Sequence, residues 1–137
     1  MGYISHLFAV NNGAQQLWLR GLEKTSGQPL AGTDGASYPF WSPDSRSIGF
    51  FAGGKMKRID IAGGPSQNLA DSTTGRGGAW NNDGTILFSP SGTGPLYRIP
   101  ASGGEAVKAT RLGTQQVSHR FPQFAPDGHH FKLRPGR

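Results

Sequence analysis

Several short motifs contain residues that could do chemistry, if their spacing fits a reaction. Residues 52–57, AGGKMK, place two glycines before a lysine, as phosphate-binding loops do. Such a loop needs four residues between its glycines and a Ser or Thr after its lysine, and both are missing. The chain has four His and many Ser, but no Gly-x-Ser-x-Gly nucleophile elbow. We therefore predict turns at these glycines and no catalytic residues.

Some Asp and His residues of the chain are candidate metal ligands. A regularly spaced set could form a calcium ring: Asp44, Asp83 and Asp127. Asp in a tight turn commonly caps backbone amides, and we predict that structural role. A zinc site would need three imidazoles or carboxylates in one place, and the candidates are His119, His129 and His130. Neighbouring residues on a strand point to opposite faces, so we predict no metal site and no cofactor.

The three Asp residues belong to a repeat that covers most of the chain. An aromatic residue stands three positions before each of them: Trp41, Trp80 and Phe124. A second unit, apolar residues with a basic one, begins at positions 17, 56 and 96. A third unit, rich in small residues and glycine, begins at 26, 63 and 103. One order and a period near 40 residues predict an all-β fold of β-propeller blades, each with four antiparallel strands.

The strands of each blade can be read from the second unit. SYPFWS, SIGFFA, KMKRIDI and SQNLA predict strands a, b, c and d, separated by turns rich in Pro, Asp and Gly. The repeat predicts a blade at 6–33 without its innermost strand a, and complete blades at 37–70 and 77–110. Residues 119–133 supply a further strand a and the start of strand b. We predict that the three repeat aromatics wedge between neighbouring blades.

The sequence YPFWSPDSRSIGFF, followed by MKRIDIAGGPSQNLA, resembles the WD-repeat-like propeller repeats of TolB-like proteins. SPDSRSIGFFAGGK and HRFPQFAPDG are similar to the propellers that follow some bacterial serine/threonine protein kinases. The resemblance runs from about Leu7 to Phe131 and implies a sensor or interaction domain. TolB-like propellers bind partner proteins, and related propellers gate serine peptidases. The chain contains no kinase motif of its own.

Composition bears on the remaining function classes. The chain has no Cys, which excludes disulfides and thiolate metal sites. Its 14 Lys and Arg against 8 Asp and Glu give a formal charge of +6, but the basic residues are scattered, so we do not predict nucleic-acid binding. No apolar stretch approaches the roughly 20 residues of a membrane span, and no signal peptide is evident. We expect a cytoplasmic location, although the resemblance allows an extracytoplasmic one.

Three blades cannot close a propeller, which needs about four to eight. We predict a homodimer in which each copy lends HRFPQFAP to the first blade of the other, giving six blades. The alternative is a fragment of a larger enzyme, either the sensor propeller of a kinase or the gating propeller of a serine peptidase. A remnant without independent function is the third interpretation.

The segments that enter strand a surround one mouth of the channel in a propeller. They contain Ser37, Tyr38, Arg76, His119 and Arg120. Arginine and histidine there would favour a carboxylate, a phosphate or an acidic peptide. The alternative is that His119 and Arg120 only hydrogen-bond neighbouring blades. We predict a non-catalytic module that recognises a protein, a peptide or a small anion at this mouth.

Overall fold

A computed structural model describes residues 3–10, 14–21, 28–113, 118–125 and 130–136. Within these ranges every regular element is a strand, and none is a helix that could span a membrane. The strands are β1 Tyr3–Val10, β2 Ala14–Gly21, β3 Gln28–Pro29, β4 Ser37–Trp41, β5 Ser47–Ala52, β6 Lys55–Asp60, β7 Gln67–Asp71, β8 Gly78–Trp80, β9 Thr85–Phe88, β10 Tyr97–Pro100, β11 Val107–Lys108, β12 Ser118–Phe124 and β13 Phe131–Gly136. The predicted all-β class is confirmed.

The strands form four antiparallel sheets, each ordered as the chain runs. Blade 1 contains β1-β2-β3, blade 2 contains β4-β5-β6-β7, blade 3 contains β8-β9-β10-β11, and blade 4 contains β12-β13. Blades 2 and 3 are meanders because short turns, many built on glycines at positive φ, join their neighbouring strands. Blade 1 pairs in the register of strands b, c and d, and blade 4 in the register of strands a and b.

Strand β5 shows why an apolar run follows Ser47 in the sequence. All six of its residues, Ser47–Ala52, are buried. Phe50 lies in a cluster with Leu17 and Leu30 of blade 1, whereas Phe51 lies in a second cluster with Phe88 of blade 3. Blade 2 is thus covered on both faces, so both sets of alternating side chains must be apolar.

The turn between β4 and β5 is capped by side chains, as its Ser-Pro-Asp-Ser sequence predicts. The carboxylate oxygen Oδ1 of Asp44 accepts hydrogen bonds from the Ser42 hydroxyl at 2.6 Å and from the Arg46 amide at 3.0 Å. The Ser42 Oγ accepts in turn from the Ser47 amide at 3.0 Å. These bonds fix the exit from strand a.

Blade 3 builds the corresponding turn with a different residue. Asn81 Oδ1 accepts hydrogen bonds from the amides of Asp83 at 3.0 Å and Thr85 at 2.9 Å. Asn81 occupies the repeat position of Ser42, whose hydroxyl oxygen accepts the Ser47 amide in blade 2. Asp127, the third member of the set, lies outside the described residues.

The Asp44 cap gives a testable dependence on pH. The Ser42 hydroxyl, and after it the Arg46 amide, lower the pKa of the exposed Asp44 carboxyl. A lowered folded-state pKa means that the contribution to stability is present above about pH 4 and is lost as the pH falls further. Asp44→Asn keeps an acceptor oxygen but cannot titrate. We expect its melting temperature to fall less than that of the parent between pH 5 and pH 2.5.

Thermal unfolding monitored by circular dichroism across this range checks the prediction. Part of the acid sensitivity will remain in the variant, because an ion pair with Lys55 also lowers the pKa of Asp71. Asp34→Asn is the matched control, since it removes a carboxylate at another exposed turn position. If the melting temperatures of the parent and of Asp44→Asn fell equally between pH 5 and pH 2.5, the assigned role of Asp44 would be contradicted.

Candidate binding site at the start of the inner strands

The inner strands β4, β8 and β12 lie beside one another and bring together the segments that precede them. β8 contacts β4 on one side and β12 on the other. The Phe121 amide of β12 donates a hydrogen bond to the Arg76 carbonyl at 2.8 Å, just before β8. Residues far apart in sequence therefore meet at one end of three strands.

A left-handed residue stands at the same repeat position in β4, in β12 and directly before β8. Counted from the repeat Asp, the position holds Tyr38, Gly77 and Phe121, with φ values of 49°, 103° and 50°. The a–b pairings of blades 2 and 4 shift register there, between Ser37 and Phe40 and between Arg120 and Gln123. This is a recurring β-bulge, which re-aims a side chain relative to the strand. Bulky aromatic residues rarely adopt positive φ.

The bulges bring two aromatic rings into contact. Tyr38 and Phe121 lie edge to face, with ring centroids 5.6 Å apart and planes at 62°. Between their strands lies Gly77, where an added Cβ would stand 3.0 Å from both Cα and Cδ1 of Phe121. Glycine at this one position makes room for the Phe121 ring. Tyr38 remains 40% exposed.

Arg76 completes a cluster with these rings, which we call the aromatic–arginine cluster (Tyr38, Arg76 and Phe121). Its guanidinium carbon lies 5.9 Å from the centroid of the Tyr38 ring, within the range of a cation–π contact. Nη1 donates to the carbonyl of Gly75 at 3.0 Å and to that of Thr74 at 3.3 Å. These local bonds hold the guanidinium beside an exposed aromatic ring.

The other predicted mouth residues have different surroundings. His119 is buried, and its Nδ1 lies 2.7 Å from the Thr110 hydroxyl oxygen. Arg120 Nη2 donates to the Gly92 carbonyl at 2.6 Å, and the His119 amide donates to that of Gly94 at 2.7 Å. These bonds tie β12 to blade 3. Ser37 Oγ donates a long bond, 3.4 Å, to the Phe51 carbonyl across the bulge.

Two of the three repeat aromatics, Trp41 and Trp80, lie between blades. Trp41 packs against the cluster shared by blades 1 and 2, and Trp80 against the one shared by blades 2 and 3. Arg58 of blade 2 lies over the Trp80 ring at 4.8 Å and donates to the Ala101 carbonyl at 2.8 Å. Phe124 contacts the Phe131 ring, with centroids 6.4 Å apart.

Sequence reasoning missed Phe121 and Gly77 as members of the site. The signal was present, because Tyr38-Pro39 and Phe121-Pro122 stand at the same distance before their repeat Asp. As for the metal hypotheses, no three His, Asp or Glu side chains of the described residues are grouped closely enough to hold an ion. His129 lies outside those residues.

Comparison with known proteins identifies relatives and solved structures that resemble this chain. No family model matches the chain. An uncharacterized protein of Agrobacterium fabrum is 31% identical over 103 residues, which cover 68% of this chain and 33% of that protein. A protein of Agrobacterium tumefaciens described as a TolB superposes with a TM-score of 0.84 at 17% identity, over 98% of this chain and 50% of its own.

A second solved structure shows the same fold in a larger enzyme. The β-propeller domain of the trilobed protease from Pyrococcus furiosus, described as having an open velcro topology, superposes with a TM-score of 0.61 at 13% identity. The match again covers 98% of this chain and 50% of that one. The chain thus spans about a third of the curated relative and half of these propellers. It has the β-propeller fold of TolB-like proteins.

Proposed function

We propose that the chain is a non-catalytic interaction module that binds an anionic group at the aromatic–arginine cluster. The observation that carries the proposal is the Tyr38 ring, which is partly exposed, held at left-handed φ and covered on one side by the Arg76 guanidinium. Such a backbone conformation costs about 1–3 kcal/mol and concentrates at ligand sites. The same bulge occurs in β12, where Phe121 also adopts a left-handed φ.

The chemistry of the cluster favours a carboxylate or a phosphate attached to an apolar body. A guanidinium binds either group through paired hydrogen bonds, and an aromatic edge and face contact the apolar part. The formal charge of +6 adds attraction for an acidic partner. An acidic peptide satisfies all three conditions, and we take it as the ligand class.

The hydroxyl–imidazole pair of Thr110 and His119 makes contacts of a structural kind. The Thr110 hydroxyl oxygen, which contacts His119, already accepts a hydrogen bond from the Leu96 amide at 2.9 Å. His119 is only 4% exposed. The pair therefore has the contacts of a bridge between β12 and blade 3.

The alternative function is a propeller region within a larger enzyme, such as a sensor of a kinase or a gate of a peptidase. The likeness to the propeller domain of a protease supports it, as does the half-length match. Full-length sequencing of the gene distinguishes the two, because an adjoining kinase or hydrolase domain would show that this region serves an enzyme.

Titration with a glutamate-rich peptide and with inorganic phosphate tests the anion site. We expect Arg76→Ala to weaken peptide binding about tenfold, which is the loss of one charge-assisted contact of roughly 1.4 kcal/mol. Arg98→Ala removes the same charge from an exposed position on β10 of the same blade and should change binding less than about twofold. Isothermal calorimetry at low salt measures both.

A second pair of variants tests the contribution of the Tyr38 ring to binding separately from that of the backbone conformation. Tyr38→Gly relieves the left-handed strain and removes the ring, whereas Tyr38→Phe retains the ring. We expect peptide binding to be lost in the first variant and kept in the second. Equal weakening by Arg76→Ala and Arg98→Ala would show that net charge alone attracts the peptide. Absence of binding by the parent chain to both probes would overturn the proposal.

A further inference from the structure

Strand β1 occupies the repeat position of a strand b, and within the described residues it pairs on one side only, with β2. Ser5 lies opposite Leu19 in that pairing, and Gly49 of β5 lies opposite Arg58. Leu19 and Arg58 are the same repeat position, so Ser5 corresponds to Gly49. In blade 2 the other edge of strand b is covered by strand a, β4.

Strand β12 is a strand a whose register copies that of β4. Phe40 lies opposite Gly49 in blade 2, and Gln123 lies opposite Lys132 in blade 4. Both pairings contain the same bulge. Strand β13 therefore pairs with β12 in the position that strand b has in a complete blade. Lys132, Gly49 and Ser5 occupy equivalent positions in their blades.

We propose that the uncovered edge of β1 binds β12 of a second copy of this chain, and that β13 competes with β1 for the same edge of β12. Blade 1 lacks one strand, and β12 is the strand type it lacks. Exchange of β12 between two copies gives each copy three complete blades and releases β13. This chain spans half the length of the two solved structures with which it superposes.

The competition determines how the assembly responds to concentration. Strand β13 is tethered to β12, so it competes at an effective concentration on the order of millimolar. It is six residues long and contains Pro135, which has no amide proton, whereas β1 is eight residues long. Exchange also covers an open strand edge in each copy, and its twofold symmetry stops the pairing at two chains. The closed dimer is favoured only at high protein concentration.

The absence of Cys in the chain allows a direct test by engineered disulfides. Paired positions on neighbouring strands have the Cα separation that a disulfide needs. For the full chain carrying Ser5→Cys and Gln123→Cys, we expect oxidation to give a covalent dimer whose mass is twice 14.6 kDa. Gln123→Cys alone is the control for random cross-linking and should give little of this dimer.

A second double variant locks the competing strand in place. Gln123→Cys with Lys132→Cys should form a bond within one chain that holds β13 on β12. Sedimentation should then find a monomer when the variant is oxidised and, after reduction, the dimer that the parent forms at high concentration. Three outcomes would overturn the proposal: a parent that stays monomeric at all concentrations, a locked variant that still dimerises, or a Ser5–Gln123 cross-link within one chain.

Discussion

Phe50→Ala is expected to lower the free energy of unfolding by about 3–5 kcal/mol. The Phe50 side chain has no exposed area and lies in the cluster that joins blades 1 and 2, among Leu17, Leu30 and Ile59. Removing the ring loses its transfer free energy and leaves a cavity between two sheets, which cannot close unless the two blades move toward each other. A domain of this size has a total stability of only about 5–15 kcal/mol.

Chemical denaturation followed by Trp fluorescence measures the loss. Phe50→Leu, which keeps most of the volume, should cost less than about 1.5 kcal/mol. Val107→Ala, at a position that is 40% exposed, should change stability by less than about 0.5 kcal/mol. If Phe50→Ala cost no more than Val107→Ala, the packing of blade 1 on blade 2 would be refuted.

The second large effect is expected from Gly49→Ala, at about 2–3 kcal/mol of lost stability. The Phe40 ring lies over Gly49, and an added Cβ would stand 2.2 Å from its Cζ atom. The ring cannot move away freely, because Gly78 of blade 3 confines it on another side, with an added Cβ there at 2.5 Å from Cε1. Blade 3 reverses the arrangement, with the small Ala79 opposite the large Leu87.

A double variant tests this complementarity. Phe40→Ala with Gly49→Ala should lose less stability than the sum of the two single variants, by about 1 kcal/mol or more, since the clash exists only when the ring is present. Gly92→Ala is the control, because its φ lies outside the left-handed region and its nearest neighbour is 3.9 Å away. Additive losses from the pair would show that the ring does not depend on Gly49.

The sequence alone determined the architecture because a repeat encodes it locally. An aromatic residue before a capped turn, an apolar run and glycine turns predict four strands wherever they recur, and the period of about 40 residues predicts blades. The exchange of cap from Asp44 to Asn81 was not predictable in this way. The Arg46 amide donates to Asp44 in blade 2, whereas the Thr85 amide donates to Asn81 in blade 3, and the turn geometry selects the acceptor.

Only the tertiary structure decided which of the predicted mouth residues come together. Tyr38 and Phe121 are 83 positions apart and meet because the residue between their strands is Gly77. Arg120 and His119, which carry the same chemistry in the sequence as Arg76, are instead bonded to blade 3. The repeat determines the position of a residue within its blade. The residues that it contacts in the next blade depend on the sequences of both blades, because side chains from the two sheets pack against each other.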